Sequence, residues 1–388
     1  MIREISKSIK YIGADDPDID LFESQYDVPE GMCYNSYIIL DDKIAVLDTV
    51  DKRVTDEWLA NLDKVLDGRT PDYLVINHLE PDHSSNIMKI AEKYPEMKLV
   101  GNAKTFAMLP QFFDFNIEGR TVAVKEGDTI DLGSHKLTFC MAPMVHWPEV
   151  MVTYEQTEGV LFSADAFGKF GVIDAAPDDW ACEARRYYFN ICGKYGMQVQ
   201  ALLKKVSVLD IKTICPLHGP ILSENLGYYI GLYDTWSKYE PETDGIFVVY
   251  SSIHGNTKQA ALKLYDMLKE RTDNKIAISD LARSDMGENI EDAFRYSKMV
   301  MLSPSYDGGI FPIANDFLHH LLIKGFKNRK VAIVENGSWA PSAGKVMREY
   351  FEKMKGIELC DVSVTIKSTL KDDTIKKLEE LADAVVKM

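Results

Sequence analysis

Short apolar runs with the composition of β-strands dominate the first half of the chain. They read CYNSYIIL, KIAVLDTV, DYLVINH, KLVGN, KLTFCMAP, VMVTYE and GVLFSAD, and Gly, Pro and Asp residues separate them. Segments with helical spacing are fewer, and TDEWLANLDKVL is a clear example. This pattern predicts a strand-rich α/β domain.

The pattern changes after a segment that has the composition of a linker. A helix-like stretch from Tyr228 to about Lys238 ends in KYEPETDG, where charged residues, a proline and a glycine lie close together. Beyond it the strand-like runs GIFVVYSS, KIAISDL, KMVMLSPS, KVAIVENGS and CDVSVTI alternate with helix-like stretches. Such alternation predicts a parallel, doubly wound sheet. We therefore predict two domains, residues 1–240 and 245–388.

Composition and charge narrow the class of protein. Of 388 residues, 46% are hydrophobic and 27% are charged, and the net charge is −16. This balance is typical of a globular protein, and an acidic surface argues against nucleic acid as a partner. The N-terminal MIREISKSIKYIG lacks the apolar core of a signal peptide, and no apolar run approaches the roughly 18 residues that span a bilayer. We expect a soluble cytoplasmic protein with no membrane or nucleic-acid partner.

The cysteines exclude two kinds of site. They are scattered, without a CxxC pair, at Cys33, Cys140, Cys182, Cys192, Cys215 and Cys360. This spacing predicts neither a disulfide framework nor a rubredoxin-type iron site within the chain. We expect most of them to be buried, small apolar residues in a reducing compartment.

Candidate metal ligands occur at the ends of the predicted strands of the first half. Four lie on the loop INHLEPDHSSN: His78, Glu80, Asp82 and His83. Three more lie in APMVHWPEV, GVLFSAD and ICPLHGP: His146, Asp165 and His218. A single histidine or aspartate is more often an ordinary polar residue, but a series placed at strand ends favours a metal site, because a rigid scaffold can aim such loops. Histidine and carboxylate ligands without thiolate suit iron, and zinc accepts the same groups.

Three loops of the second half favour a flavin. VVYSSIHGNTKQA joins a strand to a helix start, where backbone amides and hydroxyls can bind phosphate, and no GxxxxGK[ST] motif indicates ATP or GTP. LSPSYDGGIFP and VENGSWAPSAG also follow predicted strands, at the ends where doubly wound sheets bind ligands. Tyr306 and Trp339 can stack on an isoalloxazine ring. The candidate FMN-binding residues are Ser252, Ile253, His254, Gly255, Asn256, Thr257, Ser303, Pro304, Ser305, Tyr306, Asp307, Gly308, Asn336, Gly337, Ser338, Trp339 and Ala340.

These motifs together resemble a known family over essentially the whole chain. The order HxExDH, then His, Asp and His, resembles the metallo-β-lactamase fold, as do YNSYIIL and VLDTVD, and with the second half it resembles the flavodiiron proteins. The resemblance implies an α/β protein with an N-terminal αββα sandwich and a C-terminal flavodoxin-like doubly wound parallel sheet. It also implies a non-haem diiron site and FMN. One iron would take His78, Glu80 and His146, the other Asp82, His83 and His218, and Asp165 would bridge them.

The resemblance also implies residues around the irons. Asp48 resembles the first aspartate motif of the fold, which supports the ligands, and Trp147 is a candidate shield of the site. Tyr195 resembles a family tyrosine that donates a proton or hydrogen bond, and we take it as the candidate catalytic residue. Tyr187 and Tyr188 are nearby alternatives.

One departure from the family pattern concerns the segment before the YN-Y motif. Some flavodiiron proteins carry a histidine there, whereas LFESQYDVPEGMCYN has none. Any role of that histidine is therefore absent or taken over by Glu23, Ser24 or Gln25.

The resemblance implies a redox enzyme. Electrons would pass from an external donor through FMN to the irons, which would reduce O₂ to water, NO to N₂O, or both. The donor would be rubredoxin, an NADH-linked reductase or coenzyme F420, and the assembly a head-to-tail homodimer or a tetramer. The alternative is a zinc-dependent hydrolase of the same fold with an attached flavodoxin-like module. Glu80 favours iron, since a histidine is expected there in zinc hydrolases. A gas sensor is less favoured.

Overall fold

The computed structural model describes residues 1–176 and 179–388, and these residues form two compact units. Unit 1 consists of Met1–Tyr188 and Tyr195–Asp234. Unit 2 consists of Phe189–Lys194 and Thr235–Met388.

Unit 1 contains two large β-sheets. Its strands are β1 (Arg3–Glu4), β2 (Ile9–Tyr11), β3 (Ala14–Asp16), β4 (Leu21–Phe22), β5 (Tyr26–Asp27), β6 (Met32–Tyr34), β7 (Tyr37–Ile39), β8 (Ala45–Leu47), β9 (Tyr73–Val75), β10 (Lys98–Gly101), β11 (Thr121–Ala123), β12 (Thr129–Asp131), β13 (Lys136–Met141), β14 (Met151–Glu155), β15 (Val160–Phe162) and β16 (Thr213–Cys215). The first sheet has the order β1-β2-β7-β8-β9-β10-β11 and the second β12-β13-β14-β15-β16. Two small two-stranded antiparallel sheets, β3–β6 and β4–β5, lie apart from them.

Helices follow many of these strands. They are α1 (Thr55–Leu66), α2 (Pro81–Ser84), α3 (Ile87–Lys93), α4 (Ala103–Met108), α5 (Trp180–Tyr187), α6 (Gly196–Val206) and α7 (Leu226–Ser237). Helix α1 shows why such segments form helices, because its apolar residues recur every third or fourth position. Trp58, Leu62 and Leu66 are buried on one face, and the helix ends at Asp67 in the left-handed conformation, φ 47°.

The core of unit 1 lies between the two sheets. Tyr37 and Leu47 of the first sheet belong to the same buried cluster as Phe139 and Phe162 of the second. Alternating strand residues face this cluster, which makes the two sheets a sandwich with helices outside. The predicted αββα sandwich is confirmed.

The run CYNSYIIL does not form the single strand that its apolar pattern suggested. It forms β6 and β7, which belong to different sheets, and the chain changes direction at Asn35 and Ser36. The Asn35 amide donates to the carbonyls of Pro216 (2.8 Å) and Gly219 (2.9 Å), while the Ser36 hydroxyl donates to the carbonyl of Asp48 (2.9 Å). Polar side chains thus bind neighbouring loops where the apolar pattern suggested an uninterrupted strand.

Unit 2 is a doubly wound sheet. Its strands are β17 (Thr243–Tyr250), β18 (Lys275–Asp280), β19 (Tyr296–Tyr306), β20 (Gly309–Ile310), β21 (Lys330–Asn336), β22 (Glu358–Leu359) and β23 (Val364–Ile366). Its helices are α8 (Asn256–Lys269), α9 (Met286–Arg295), α10 (Pro312–Ile323), α11 (Ala343–Phe351) and α12 (Asp372–Lys387). The parallel strands have the order β18-β17-β19-β21-β23, the 2-1-3-4-5 order of flavodoxin-like folds. The flavodoxin-like part of the prediction is confirmed.

The burial of the cysteines and the length of the helices can be compared with the expectations from sequence. Cys182 is partly buried, and the other five cysteines are buried; all six are free thiols. Among the helices within residues 1–176 and 179–388, none combines the length and the apolar character required to cross a membrane.

Candidate functional site

The predicted metal ligands meet at one edge of unit 1. The loop after β9 and the short helix α2 carry the first four, the loop between β13 and β14 carries the fifth, and the last two follow β15 and β16: His78, Glu80, Asp82, His83, His146, Asp165 and His218. Strands β8 and β9 are parallel, and so are β15 and β16, which brings their carboxyl ends to common edges of the two sheets. Strand ends, rather than proximity in sequence, therefore assemble the site.

Four donor atoms define one pocket, which we call position A. Both Glu80 Oε2 and Asp165 Oδ2 lie 3.2 Å from His78 Nε2. The same two oxygens lie 3.0 Å and 3.1 Å from His146 Nε2. Two imidazole nitrogens and two carboxylate oxygens thus converge on a common point.

Four other donor atoms define position B. Asp82 Oδ2 lies 3.3 Å from His83 Nε2 and 3.1 Å from His218 Nε2, and the two histidine nitrogens are 3.0 Å apart. Asp165 contributes its other oxygen here, since Oδ1 lies 3.2 Å from His83 Nε2. One carboxylate therefore faces both positions, one oxygen to each.

The donor set fits a pair of metal ions. Both carboxylate oxygens of Asp82 and of Asp165 are buried and make no hydrogen bond, and the same holds for His146 Nε2. Most of the donor separations are 3.0–3.3 Å, which matches the edges of a coordination polyhedron with bonds of about 2.1 Å, and Asp165 Oδ1 lies 3.8 Å from His218 Nε2. Buried orphan carboxylates are costly unless an ion or a proton compensates their charge. Nitrogen and oxygen donors without thiolate suit iron or zinc.

Hydrogen bonds behind the ligands fix their tautomers. His78 Nδ1 lies 2.8 Å from Glu149 Oε1, and His218 Nδ1 lies 2.7 Å from the carbonyl oxygen of Cys33. Carboxylate and carbonyl oxygens only accept, so in both neutral imidazoles Nδ1 carries the proton and Nε2 presents a lone pair. Asp48 accepts from the backbone amides of Asn77 (2.7 Å) and His78 (3.2 Å), which positions the first ligand loop.

Sequence reasoning overlooked two of these supporting groups. Glu149 lies three residues after His146 in HWPEV, and only its carboxylate type, next to a predicted ligand, pointed to it. Cys33 acts through its backbone carbonyl, for which side-chain patterns give no indication. Tyr37 of the same YN-Y segment donates to the carbonyl of Pro216 at 2.6 Å, which holds the loop that carries His218.

Electrostatics in the metal-free site favour charged histidines. Burial opposes their charge, but the negative charge of Asp165 raises the pKa of His78 well above its usual range. Burial likewise opposes protonation of His146, but the carboxylates of Asp165 and Glu80, 3.1 Å and 3.0 Å from its Nε2, raise its pKa to about 9. The pKa of Asp165 is lowered well below its usual range, since the attraction of His78 outweighs the effect of burial.

Metal affinity should therefore rise with pH through the neutral range. A metal ion must displace the proton of His146, whose pKa in the metal-free protein is about 9, so lower pH favours the competing proton. We expect the apparent affinity for Co²⁺ to increase by about tenfold per pH unit between about pH 6.5 and 8.5 for each proton displaced. Chelator competition at several pH values measures this. A His135→Gln control, which alters a histidine outside the site, should show the same slope, and a flat profile would contradict the prediction.

Aromatic residues enclose the histidines. The rings of Tyr34 and Tyr187 lie 5.8 Å and 5.6 Å from that of His218, and the Trp147 ring lies edge-on to His78 at 5.3 Å. Trp147 thus packs against the predicted ligand His78, which is consistent with the expected shielding of the site. Tyr188 is in ring contact with Tyr233 at 5.1 Å. The catalytic role of Tyr195, which ends a single 3₁₀ turn before α6, stays a prediction.

The segment that lacks the family histidine forms the hairpin β4–β5. Glu23 and Ser24 occupy its tip with positive φ values of 49° and 58°, and the Gln25 amide donates to Glu23 Oε2 at 3.1 Å. The Phe22 ring contacts that of His218 at 5.4 Å, so the hairpin lies beside position B. Partial burial and repulsion by Glu80 raise the pKa of Glu23 to about 7. Glu23 thus brings a carboxylate near the predicted metal ligands.

Unit 2 contains a cavity of about 480 Å³ at the carboxyl ends of its strands. It is lined by Ser252, Ile253, His254, Asn256, Thr257, Pro304, Ser305, Tyr306, Asp307, Gly308, Asn336, Gly337, Ser338, Trp339, Ala340 and Ser368. Of the predicted FMN-binding residues, Gly255 and Ser303 are not in the lining, and Ser368 was not predicted. The size is that of a small-molecule site.

Turn chemistry shapes the walls of the cavity. Gly255 adopts φ 90° immediately before α8, whose first-turn amides lie at the cavity end of the helix. The Ser252 hydroxyl accepts from the amides of Gly255 (3.1 Å) and Lys258 (3.2 Å). Asp307 and Gly308 both have positive φ, which is the conformation of a two-residue hairpin turn between β19 and β20.

The loops of the cavity are bound to one another. Ser305 Oγ accepts from the amides of Ser342 (2.8 Å) and Ala343 (3.1 Å). The Asn336 side chain donates to the carbonyl of Ser368 and accepts from its amide, both at 3.0 Å. Trp339 remains 93% exposed. The cavity therefore combines a helix start suited to phosphate with a large aromatic surface suited to stacking on a planar ring.

Comparisons with known proteins agree with this arrangement. A family model described as ODP family beta lactamase matches residues 32–219, which include all seven predicted ligands. The nitric oxide reductase of Moorella thermoacetica is 28% identical over 386 residues, covering 97% of this chain and 96% of that protein. The anaerobic nitric oxide reductase flavorubredoxin of Vibrio vulnificus is 29% identical over 351 residues, covering 87% and 70%.

Solved structures share the fold of the whole chain. The rubredoxin oxygen:oxidoreductase of Desulfovibrio gigas superposes with a TM-score of 0.93 at 23% identity, covering 100% of this chain and 98% of that one. The flavodiiron protein of Giardia intestinalis also has a TM-score of 0.93 at 23% identity, covering 100% and 96%. At this level of identity the superposition establishes the fold.

Proposed function

We propose that this chain is a flavodiiron protein, an oxidoreductase with a non-haem diiron site and FMN. With both groups bound, FMN would take electrons from an external donor and the iron pair would supply the chemistry for reducing O₂ to water, NO to N₂O, or both. The observation that carries the proposal is the placement of Asp165, whose two oxygens face two separate sets of histidine and carboxylate donors. Such a carboxylate suits a bridge between two metal ions.

The ligand residues would hold the ions and set their charge. His78, Glu80, His146 and Asp165 would hold one ion, and Asp82, His83 and His218 the other, together with the second oxygen of Asp165. An iron pair bound there would supply the redox chemistry and the place where the gas is reduced, and FMN would supply the electrons. Three carboxylates offset much of the positive charge of two metal ions, which favours the oxidised ions.

The surrounding residues orient the ligands and limit access. Glu149 and the Cys33 carbonyl keep the protons of His78 and His218 on Nδ1, which leaves each Nε2 available as a ligand. Trp147 covers one side of His78 and Phe22 one side of His218. Reduction of O₂ or NO consumes protons, and Glu23, at the tip of the hairpin beside position B, is a candidate to relay them.

The cavity of unit 2 would hold FMN. Its phosphate would bind at the start of α8, near Ser252 and Thr257, and its ring would stack on Trp339 or Tyr306. Tyr306 and Trp339 are 44% and 93% exposed, so a flavin placed there would have an edge open to another protein. This exposure supports a mobile electron donor and a second copy of the chain as partners.

The donor and the assembly are part of the proposal. Two of the relatives carry rubredoxin in their names, which supports a rubredoxin-type donor; an NADH-linked reductase or coenzyme F420 are the alternatives. We propose a head-to-tail homodimer, alone or within a tetramer, in the cytoplasm. Activity should fall when the protein is diluted below the dimer dissociation constant, and a fully active monomer would contradict the dimer.

The central experiment measures cofactors and turnover together. We expect two irons and one FMN per chain, and consumption of O₂ or NO by the anaerobically reduced protein. Adding O₂ and NO in separate experiments compares the two rates. A protein that contains zinc, lacks flavin and consumes neither gas would overturn the proposal.

Replacing Glu80 tests the preference for iron. Glu80 Oε2 lies within 3.2 Å of two histidine nitrogens in position A, so Glu80→His substitutes a neutral donor for an anionic one. We expect reduced iron content, increased zinc content and a loss of at least about tenfold in gas turnover. The exposed Glu92 provides the control, and Glu92→His should leave all three unchanged. Unchanged iron and turnover in Glu80→His would show that this carboxylate does not select the metal.

A further inference from the structure

Glu149 is a buried carboxylate that no ligand motif includes. It has no solvent exposure, and its Oε1 accepts both from His78 Nδ1 (2.8 Å) and from the backbone amide of Leu79 (2.9 Å). Its Oε2 makes no hydrogen bond. Burying a carboxylate with one oxygen unsatisfied is unfavourable, so this residue has a reason to be there other than stability.

Glu149 distinguishes position A from position B. The two positions have the same types of ligand: each has two histidines, one carboxylate of its own and one oxygen of Asp165. The two positions differ in the groups that accept hydrogen bonds from the Nδ1 atoms of these histidines. His78 in position A donates to a carboxylate, whereas His218 in position B donates to the neutral carbonyl of Cys33.

The nature of the acceptor changes the imidazole as a ligand. A hydrogen bond from Nδ1 to a carboxylate is stronger than one to a carbonyl and draws the proton away from the ring. The ring then gains anionic character, and its Nε2 becomes a stronger donor to a cation. The extra negative charge also favours a metal ion of higher charge at the same place.

We propose that Glu149 is a positioning residue that makes the two metal positions unequal, so that position A binds its ion more tightly and retains the higher oxidation state. This inference rests on the proposed function, because it requires two metal ions at the site. It also predicts the order in which two ferric ions at the site would be reduced: the ion at position B would accept the first electron.

Glu149→Gln isolates the charge from the geometry. The glutamine carbonyl oxygen can still accept from both His78 and the amide of Leu79, and its NH₂ group replaces the unbonded Oε2. In chelator-competition titrations of the full-length protein with Co²⁺, we expect one of two binding steps to weaken by about 10- to 100-fold and the other to remain unchanged. In a His218→Ala background, which lacks a ligand of position B, Glu149→Gln should weaken the remaining step by the same factor.

A matched control exists in the same unit. Glu155 is also fully buried and accepts from a histidine, His135, at 3.1 Å and from the backbone amide of Thr157 at 2.7 Å. Its histidine is not a predicted ligand, so Glu155→Gln removes a comparable buried charge away from the metals. It should leave both Co²⁺ affinities unchanged, and thermal unfolding of each variant shows whether the fold is retained.

The iron-loaded protein provides the second readout. Two one-electron reductions by dithionite, followed by electron paramagnetic resonance, give two midpoint potentials. Glu149→Gln should move the second to higher potential and narrow their separation. A shift of the first step alone, equal shifts of both steps, or unchanged Co²⁺ affinities would overturn the inference. Failure of the proposed function looks different, since the unmodified protein would then lack two metal-binding steps or two reductions.

Discussion

Asp165→Asn is expected to remove both metal ions, with losses of more than about 100-fold in affinity at each position. Each oxygen of Asp165 faces a different donor set, and the side chain is fully buried. Asparagine removes the charge and places an NH₂ group, which repels a cation, at one of the two positions. Because both positions share the charge of Asp165, both lose affinity. The expected loss exceeds the 10- to 100-fold that is typical when a residue hydrogen-bonded to a ligand is replaced.

Metal per chain, measured by mass spectrometry with bound FMN as an internal reference, tests this prediction. FMN content should be unchanged, because the flavin cavity lies in unit 2. Asp210→Asn is the control, since the Asp210 side chain is 84% exposed and should retain both metals. If Asp165→Asn keeps one ion at full occupancy, Asp165 is a ligand of the other ion only and not a bridge.

Ser252→Asp is expected to abolish FMN binding while leaving the metals in place. The Ser252 hydroxyl accepts from the amides of Gly255 and Lys258, and an aspartate can accept from the same groups. Its charge, however, lies where the flavin phosphate is proposed to bind. Two like charges about 4 Å apart repel by about 4 kcal/mol at an effective dielectric constant of about 20, so a loss of at least about 100-fold in affinity is expected.

Ser252→Asn is the matched variant for this test. It has nearly the shape of aspartate and is neutral, so it should retain FMN within about tenfold of the unmodified protein. Flavin absorbance after gel filtration measures both variants, and iron content serves as the internal reference. Full flavin occupancy in Ser252→Asp would place the phosphate elsewhere, whereas equal losses in both variants would indicate a steric rather than an electrostatic effect.

The pattern of the sequence was sufficient for the two architectures. Alternating strand and helix signals after residue 245 predicted the doubly wound sheet, because each βα unit carries its periodicity locally. The ligands were also visible, since each of them directly follows a strand-like run or lies in the loop beyond one. What the pattern missed was the break of CYNSYIIL into β6 and β7, because the polar groups that cause it, such as Asn35, bind carbonyls of a loop far along the chain.

The details that give the site its chemistry depend on contacts between distant segments. The carboxylate of Glu149 meets His78 across 71 positions of sequence, and the carbonyl of Cys33 meets His218 across 185. Likewise, Ser368, which follows β23, lines the flavin cavity, although the predicted flavin-binding loops follow other strands.

The sequence by itself determined which residues bind metal in our proposal, where the flavin loops lie and which fold class carries them, because residue types and local periodicity are properties of short segments. Only the tertiary structure decided that the two oxygens of Asp165 face different donor sets and that Glu149 stands behind one histidine alone. The physical reason is that the orientation of a carboxylate and the partner of an imidazole nitrogen follow from the packing of two sheets against each other, which no local pattern encodes.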